Sequence, residues 1–340
     1  MQAVGIMTAG GDCPGLNAVI RAVVSRSVRH GIEVVGIQNG WEGLMDGHVR
    51  PLGRDDVRGI LQRGGTILGT SRRDPYVHGD GYASIRRTLE SNGIEAVICI
   101  GGDGTLASAM KLSEEGLKVV GVPKTIDNDI AATDVTFGFD TAVQIATDAL
   151  DRITTTAEAH NRIMLVEVMG RTKGWIAVTA AIAAGADAVL IPEQPYSLEE
   201  IADTLRSRHR HGHTYSVVVV AEGVEPPGGE SRVEQLDAFG FQRLGGVSYQ
   251  IAPYLERLTG FETRVTVLGH LQRGGTPTAY DRVLATRFGV KAADLVRQGS
   301  YGTMVAARGT DMIAVPLAEA CADIRGVDPS LYDVARTFFG

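Results

Sequence analysis

The strongest constraint in this chain is a recurring unit. A short, continuously apolar run ends in glycine or a turn, a helix-length segment follows, and another run begins. The runs are Ala3–Met7, Glu33–Ile37, Ala96–Ile100, Lys118–Val122, Ile163–Val168, Ala188–Ile191, Val217–Val220 and Arg264–Leu268. Most are unbroken rather than alternating, which fits strands covered on both faces, as in a parallel sheet. Segments such as Asn17–His30, Thr105–Glu115 and Thr141–Thr155 have the length and pattern of helices. Such alternation predicts an α/β fold. Ligands in these folds gather beyond the carboxyl ends of the strands.

The distinctive residues of the chain follow its strands. Gly10-Gly11-Asp12 follows the first run and Gly101-Gly102-Asp103-Gly104-Thr105 the third. Lys124 to Asp129 follows the fourth, Met169-Gly170-Arg171 the fifth, and Glu222-Gly223 the seventh. The length of 340 residues exceeds one ordinary core and predicts two lobes. A boundary is expected near Gly138, and the Pro-, Gly- and charge-rich stretch Val224–Gly246 reads as a long surface excursion.

Gly10 to Gly15 links a strand to a helix, where glycines let backbone amides approach an anion and the helix terminus favours negative charge. Read alone, it is equally a tight turn. Gly101 to Thr105 adds a second such cradle with a carboxylate, Asp103, suited to holding Mg²⁺ beside phosphates. Neither G-x-G-x-x-G at the first loop nor G-x-x-x-x-G-K-[ST] anywhere is present, which disfavours a Rossmann dehydrogenase and a P-loop ATPase. Thr125-Ile126-Asp127-Asn128-Asp129 sets two carboxylates two residues apart. In an extended loop they point the same way, as a base and a supporting group for a hydroxyl attacking a phosphoryl centre. The bland alternative is an Asp/Asn-rich turn. Arg72, Arg73, Arg162, Arg171, Arg264 and Arg273 lie in loops or at strand starts or ends on the same functional edge. Forked guanidinium groups there suit phosphate oxygens, although any one alone reads as a surface ion pair.

The formal net charge of −7 argues against nucleic acid as a partner. The most apolar stretch, Trp175 to Ile191, is interrupted by Thr179, Gly185 and Asp187, and reads as a helix and a buried strand rather than a membrane span. No leader segment is expected at the start of the chain. Cys13, Cys99 and Cys321 have no zinc or disulfide spacing, which points to a reducing, cytoplasmic setting.

Together, the motifs Gly10 to Asn17, Gly101 to Thr105, Pro123 to Asp129, Met169 to Arg171 and Gly269 to Gly275 resemble the phosphofructokinase family over nearly the whole chain. Pro123-Lys124 and Thr276 to Arg282 look most like its actinobacterial branch, which holds both ATP- and pyrophosphate-dependent members. The resemblance implies two Rossmann-like lobes with the active site in the cleft between them. Residues 1–138 plus about 272–322 would bind the donor, and about 139–271 plus the C-terminal segment the sugar phosphate. It implies Mg²⁺-dependent phosphorylation of fructose 6-phosphate at C1 in glycolysis, with Asp127 as base, Thr125 beside it and Asp103 on the metal. Gly11, Arg72 and Arg171 would meet the transferring phosphoryl group, Gly102, Gly104 and Thr105 the nucleotide, and Arg73 would join the donor site. Met169, Gly170 and Glu222 would contact the sugar. Arg162, Arg264, His270 and Arg273 would hold its 6-phosphate, with Arg162 and Arg264 reaching in from a neighbouring subunit of a homotetramer.

Two positions bear on the donor. Gly104 resembles ATP users and leaves room for an α-phosphate, whereas Lys124 resembles pyrophosphate users. ATP is the expected donor and pyrophosphate the alternative. Thr172-Lys173-Gly174-Trp175 stands where the branch carries His-Ala-Gly-Trp, which keeps another ketose phosphate, sedoheptulose 7-phosphate, open as acceptor. Ser25 and Thr154 fall where bacterial relatives place effector-site arginines, although Arg21 and Arg54 match, so control by ADP or phosphoenolpyruvate is not expected. A non-catalytic sugar-phosphate sensor on the same scaffold is a further alternative.

Overall fold

The computed structural model describes residues 1–77, 80–228 and 244–339. Part of the Val224–Gly246 excursion, positions 229–243, lies outside them. The described strands are β1 (Ala3–Thr8), β2 (Glu33–Ile37), β3 (Val49–Pro51), β4 (Ile94–Gly101), β5 (Val119–Pro123), β6 (Ile163–Val168), β7 (Ala188–Leu190), β8 (Ser216–Ala221), β9 (Thr263–Val267), β10 (Thr303–Arg308) and β11 (Asp311–Pro316). All eight expected runs are strands within a residue or two of the expected ends. The stretch Trp175 to Ile191 divides into the helix Trp175–Ala184 and β7. Three strands lie outside the expected runs. β3 is short, and β10 and β11 form an antiparallel hairpin at a sheet edge.

The chain forms two compact units. The first comprises residues 1–126, 130–140 and 273–324, and the second residues 127–129, 141–272 and 325–340. The first unit is built on a seven-stranded sheet of order β11-β10-β5-β4-β1-β2-β3. Its central pairs β2–β1, β1–β4, β4–β5 and β5–β10 are parallel. β1, β4 and β5 are buried throughout apart from Glu95, which explains their unbroken apolar runs. The chain passes from β1 to β2 on one side and returns to β4 on the other, so the strand order reverses between β1 and β4. Such a reversal opens a crevice at the carboxyl ends of the two strands. The helices Leu16–Arg29 and Ala279–Gln298 pack closely against each other beside this sheet. Gly289 allows the approach, since a Cβ there would stand 2.6 Å from the Val19 carbonyl oxygen.

The second unit is built on a four-stranded sheet of order β7-β8-β6-β9, parallel throughout. β6 and β8 are fully buried. Glu167 is an ionisable residue on β6 that is only 1% exposed. Its carboxylate accepts the Gly246 and Ser248 amides, at 2.5 and 2.9 Å, at the start of the helix Val247–Thr259. Hydrogen bonds from orphan helix-terminal amides satisfy the buried charge.

Candidate active site

In the first unit a cradle lies at the carboxyl ends of β1 and β4, where the strand order reverses. It is made mostly of backbone. Gly10 takes a left-handed φ of 78°, which favours glycine. Its amide donates to the Ser71 carbonyl at 3.1 Å, and Thr70 Oγ1 donates to the Gly10 carbonyl at 2.5 Å. The segment that delivers Thr70 and Ser71 is tied down by Asn17, a fully buried residue on the first helix. Its amide nitrogen donates to the carbonyls of Arg63 and Gly64, and its oxygen accepts the Ile67 amide at 2.9 Å. Exposed Arg72 therefore follows directly on the residue that pairs with Gly10. Arg73 turns elsewhere, with its guanidinium bridging both oxygens of Asp46 at 3.0 and 3.1 Å.

The second loop caps the helix Asp103–Glu114, with Gly102 in extended conformation at its start and Asp103 in its first turn. Each glycine here has a different reason. A Cβ on Gly101 would stand 2.2 Å from Thr105 Cβ, and one on Gly102 would stand 3.3 Å from the Lys124 carbonyl. Gly104 is exposed, and a Cβ there meets nothing within 4 Å. Nothing inside the fold requires glycine at position 104. Lys124, only 3% exposed, reaches the first loop, where its ammonium donates to the Gly11 carbonyl. Arg273 Nη1 lies against Gly11, 1.8 Å from where a Cβ would stand, and reaches the Asp12 carbonyl at 3.4 Å. Arg273 thus stands on this cradle. Cys13, inside the first loop, is fully buried, and burial drives its thiol well above the ordinary range. It packs, and it is no nucleophile.

Asp12 and Asp103 are the carboxylates that these two loops carry, and Asp103 opens the helix beside the second. Among the described residues no group of three or more His, Cys, Asp or Glu could hold a metal. That donor set fits Mg²⁺, which takes one or two carboxylates and completes its shell with phosphate oxygens and water rather than a protein cage.

The second unit gathers the acidic residues. Asp127, Asn128 and Asp129 are all buried, and Asn128 is left-handed at φ 53°. The loop is therefore turned, not extended, and the alternation expected to aim both carboxylates one way does not apply. The Asp129 carbonyl accepts the Arg325 amide at 2.7 Å. Beyond β6, Gly170 (φ 140°) and Arg171 (φ 53°) make a sharp turn, closed by the Lys173 amide on the Gly170 carbonyl. The Arg171 amide donates to Glu222 Oε1 at 2.9 Å, which ties the ends of β6 and β8. Burial, reinforced by the charge of Asp127, pushes the Glu222 carboxyl up to about 7 against the pull of the Arg171 amide. Gly223 leaves the Arg171 carbonyl its space, since a Cβ there would stand 2.0 Å from that oxygen.

Two further arginines are not on this edge. Arg162 precedes β6 and Arg264 is the second residue of the parallel β9, so both stand at the opposite end of the sheet from Met169 and Arg171. Six strand residues separate the ends by roughly 17 Å. The expectation of one shared edge is corrected for these two. Both guanidinium groups bind Glu262. His270 is exposed on the short turn after β9. In the same turn Gln272, fully buried, accepts the Met169 amide at 3.3 Å and donates to the Gly269 carbonyl. Gln272 lies inside the Gly269–Gly275 motif, and its contact with Met169 links residues too distant in sequence for the motif to reveal it. Lys173 sends its ammonium toward the C-terminal segment, 3.7 Å from a Cβ built on Gly326.

Among known proteins, the phosphofructokinase family model matches residues 3–296. A "pyrophosphate--fructose 6-phosphate 1-phosphotransferase" of Amycolatopsis methanolica is 56% identical over 99% of both chains. An "ATP-dependent 6-phosphofructokinase" of Mycobacterium tuberculosis is 53% identical over 99% of both. The solved phosphofructokinase of Pichia pastoris in its T-state is 33% identical with a TM-score of 0.83, covering 99% of this chain and 36% of that one. The parallel sheets, the cradle at the reversal and these likenesses agree, and the chain belongs to the phosphofructokinase family.

Proposed function

We propose that this protein is an ATP-dependent 6-phosphofructokinase of glycolysis. It transfers the γ-phosphoryl group of ATP to the C1 hydroxyl of fructose 6-phosphate, giving fructose 1,6-bisphosphate and ADP. The observation that carries the choice of donor is Gly104. The fold leaves that position open and does not itself demand glycine, so the residue answers to the ligand. A carboxylate there would crowd and repel the α-phosphate of a nucleotide. One observation favours a second reading, pyrophosphate as donor. The Lys124 ammonium reaches the Gly11 loop, where a compact dianion could use it. Relatives of both names support keeping that reading in view.

In this reading Asp127 takes the C1 hydroxyl proton, with Thr125 beside it. Asp103 holds Mg²⁺, which when bound neutralises phosphate charge. The Gly11 amide, Arg72 and Arg171 meet the transferring group, and Gly102 and Thr105 line the donor's cradle. Arg73, held by Asp46, serves the donor only by leaving that partner. Met169, Gly170 and Glu222 hold the sugar, and His270 its 6-phosphate; Arg273, which lies against Gly11, joins that phosphate only by leaving the donor loop. Arg162 and Arg264, at the far edge of their own sheet, would serve a neighbouring subunit's site in a homo-oligomer, for which we propose a tetramer. The donor lobe would be the first unit and the acceptor lobe the second. Catalysis is then chiefly positioning and charge neutralisation. No helix among the described residues is long and apolar enough to cross a membrane, and a cytoplasmic location fits the thiol usage.

The test is a coupled assay with ATP or pyrophosphate as donor, and fructose 6-phosphate or sedoheptulose 7-phosphate as acceptor, with Mg²⁺. Turnover with ATP and fructose 6-phosphate is expected to dominate. Faster turnover with pyrophosphate would overturn the donor assignment. Binding of fructose 6-phosphate without any transfer would leave the sensor.

A further inference from the structure

The second unit contains a connection that none of the roles above uses. Its centre is the C-terminal stretch Arg325 to Val327. The Arg325 amide donates to the Asp129 carbonyl at 2.7 Å, at the end of the loop that carries Asp127. The Arg325 carbonyl accepts Trp175 Nε1 at 3.1 Å, and its guanidinium lies 4.4 Å over the same indole. Two residues on, the Val327 amide donates to Glu193 Oε1 at 3.1 Å. Both oxygens of that carboxylate also accept the Gly174 amide, at 3.1 and 3.0 Å. Gly174 and Trp175 open the helix that follows the Met169-Gly170-Arg171 turn.

A stretch of three residues thus holds the base loop at one end and the acceptor turn's helix at the other. The grip is rigid. Trp175 is 7% exposed, and a Cβ on Gly174 would stand 2.4 Å from Ile191 Cγ2, so the helix start has no room to slide. Glu193 is more than a helix cap. A cap needs only the Gly174 amide, whereas this carboxylate is shared with Val327, some 130 residues further along the chain.

We infer that Arg325 to Val327, gripped by Trp175 and Glu193, is a positioning clamp that sets Asp127 against the sugar-binding turn. Trp175 and Glu193 are positioning residues, and they act through Asp129 and Gly174. The inference rests on the proposed activity for its kinetic consequence but not for its mechanical one. Small misplacement of a base matters to kcat far more than to ground-state binding. Lys173 belongs to the same assembly, because its ammonium points at Gly326 within the clamp.

The test uses Trp175→Phe, which keeps a ring but loses the indole donor, and Glu193→Ala, which removes the acceptor of both the Gly174 and the Val327 amides. Both are compared with wild type by steady-state kinetics, thermal melting and backbone hydrogen exchange. Each variant is expected to lower kcat about tenfold while KM for fructose 6-phosphate stays within about twofold. Exchange should quicken in the peptides covering both 325–328 and 127–130. An unchanged kcat, or faster exchange confined to 325–328, would overturn the clamp. So would a fall in melting temperature alone, which is what a plain helix cap predicts. If the wild-type chain transfers phosphoryl groups to no sugar phosphate, the proposed activity fails by itself. The coupled exchange at 127–130 still decides the clamp.

Discussion

The two units present their functional loops in different materials. The first offers backbone: Gly10, Gly11, Gly101 and Gly102 at the ends of β1 and β4, with Lys124 and Arg273 bonded to carbonyls of the same loop. The second offers carboxylates, buried at Asp127, Asp129 and Glu167 and half-buried at Glu222. Apart from the carboxylates of Asp12 and Asp103, the first unit's cradle is backbone, which does not titrate but is intolerant of an added carbon. A carboxylate face should tolerate isosteric change in shape and respond to protons. That contrast can be broken at four points.

The largest effect is expected at Asp127. Asp127→Ala should lower kcat by about a thousandfold, while fructose 6-phosphate still binds by calorimetry. Turnover like wild type would remove the base from the second unit altogether. Gly101→Ala comes next, because its new carbon would overlap Thr105. It should destabilise the first unit by about 1–3 kcal/mol in denaturant melts, with donor affinity lost alongside. Gly104→Asp sharpens the comparison, since the space there is open. Stability should stay within about 0.5 kcal/mol, while KM for ATP rises and that for pyrophosphate does not. Equal effects on both donors would show that the cradle does not discriminate at this position.

The smallest effect concerns pH. Glu222 has a carboxyl raised from an ordinary 4.5 to about 7. The folded chain therefore binds more protons than the unfolded chain between those values. Its contribution is fully present below pH 4.5 and is lost as pH rises through 7. The melting temperature of wild type should fall relative to Glu222→Gln across that window. Parallel curves would mean that the second unit's carboxylates are no more pH-sensitive than the first unit's backbone.

Much of this was legible in the chain itself. Continuous apolar runs are the direct imprint of strands buried on both faces, and the motifs that follow them are local in sequence. Both cradles and the Asp127 loop could be read for that reason. The hairpin β10–β11 lies outside the expected runs although Met304–Ala307 and Met312–Val315 are continuous apolar stretches, because each is only four residues long and half of the first is alanine. The conformation of Asn128 was hidden too, since a left-handed residue in an Asp/Asn-rich run looks like an extended one until its neighbours are placed.

By itself the sequence determined the α/β class, the family and the list of groups able to bind phosphate. Each of these depends on residue type and near spacing. Only the tertiary structure decided which groups meet. It turned Arg73 onto Asp46, sent Arg162 and Arg264 to the far edge on Glu262, and set Arg273 against Gly11. It also brought Arg325 and Val327 to Asp129 and Glu193 across more than a hundred residues of chain. The reason is that a side chain's partner is chosen by strand order and packing, which arise from pairings distant in sequence, whereas its chemistry is fixed where it stands.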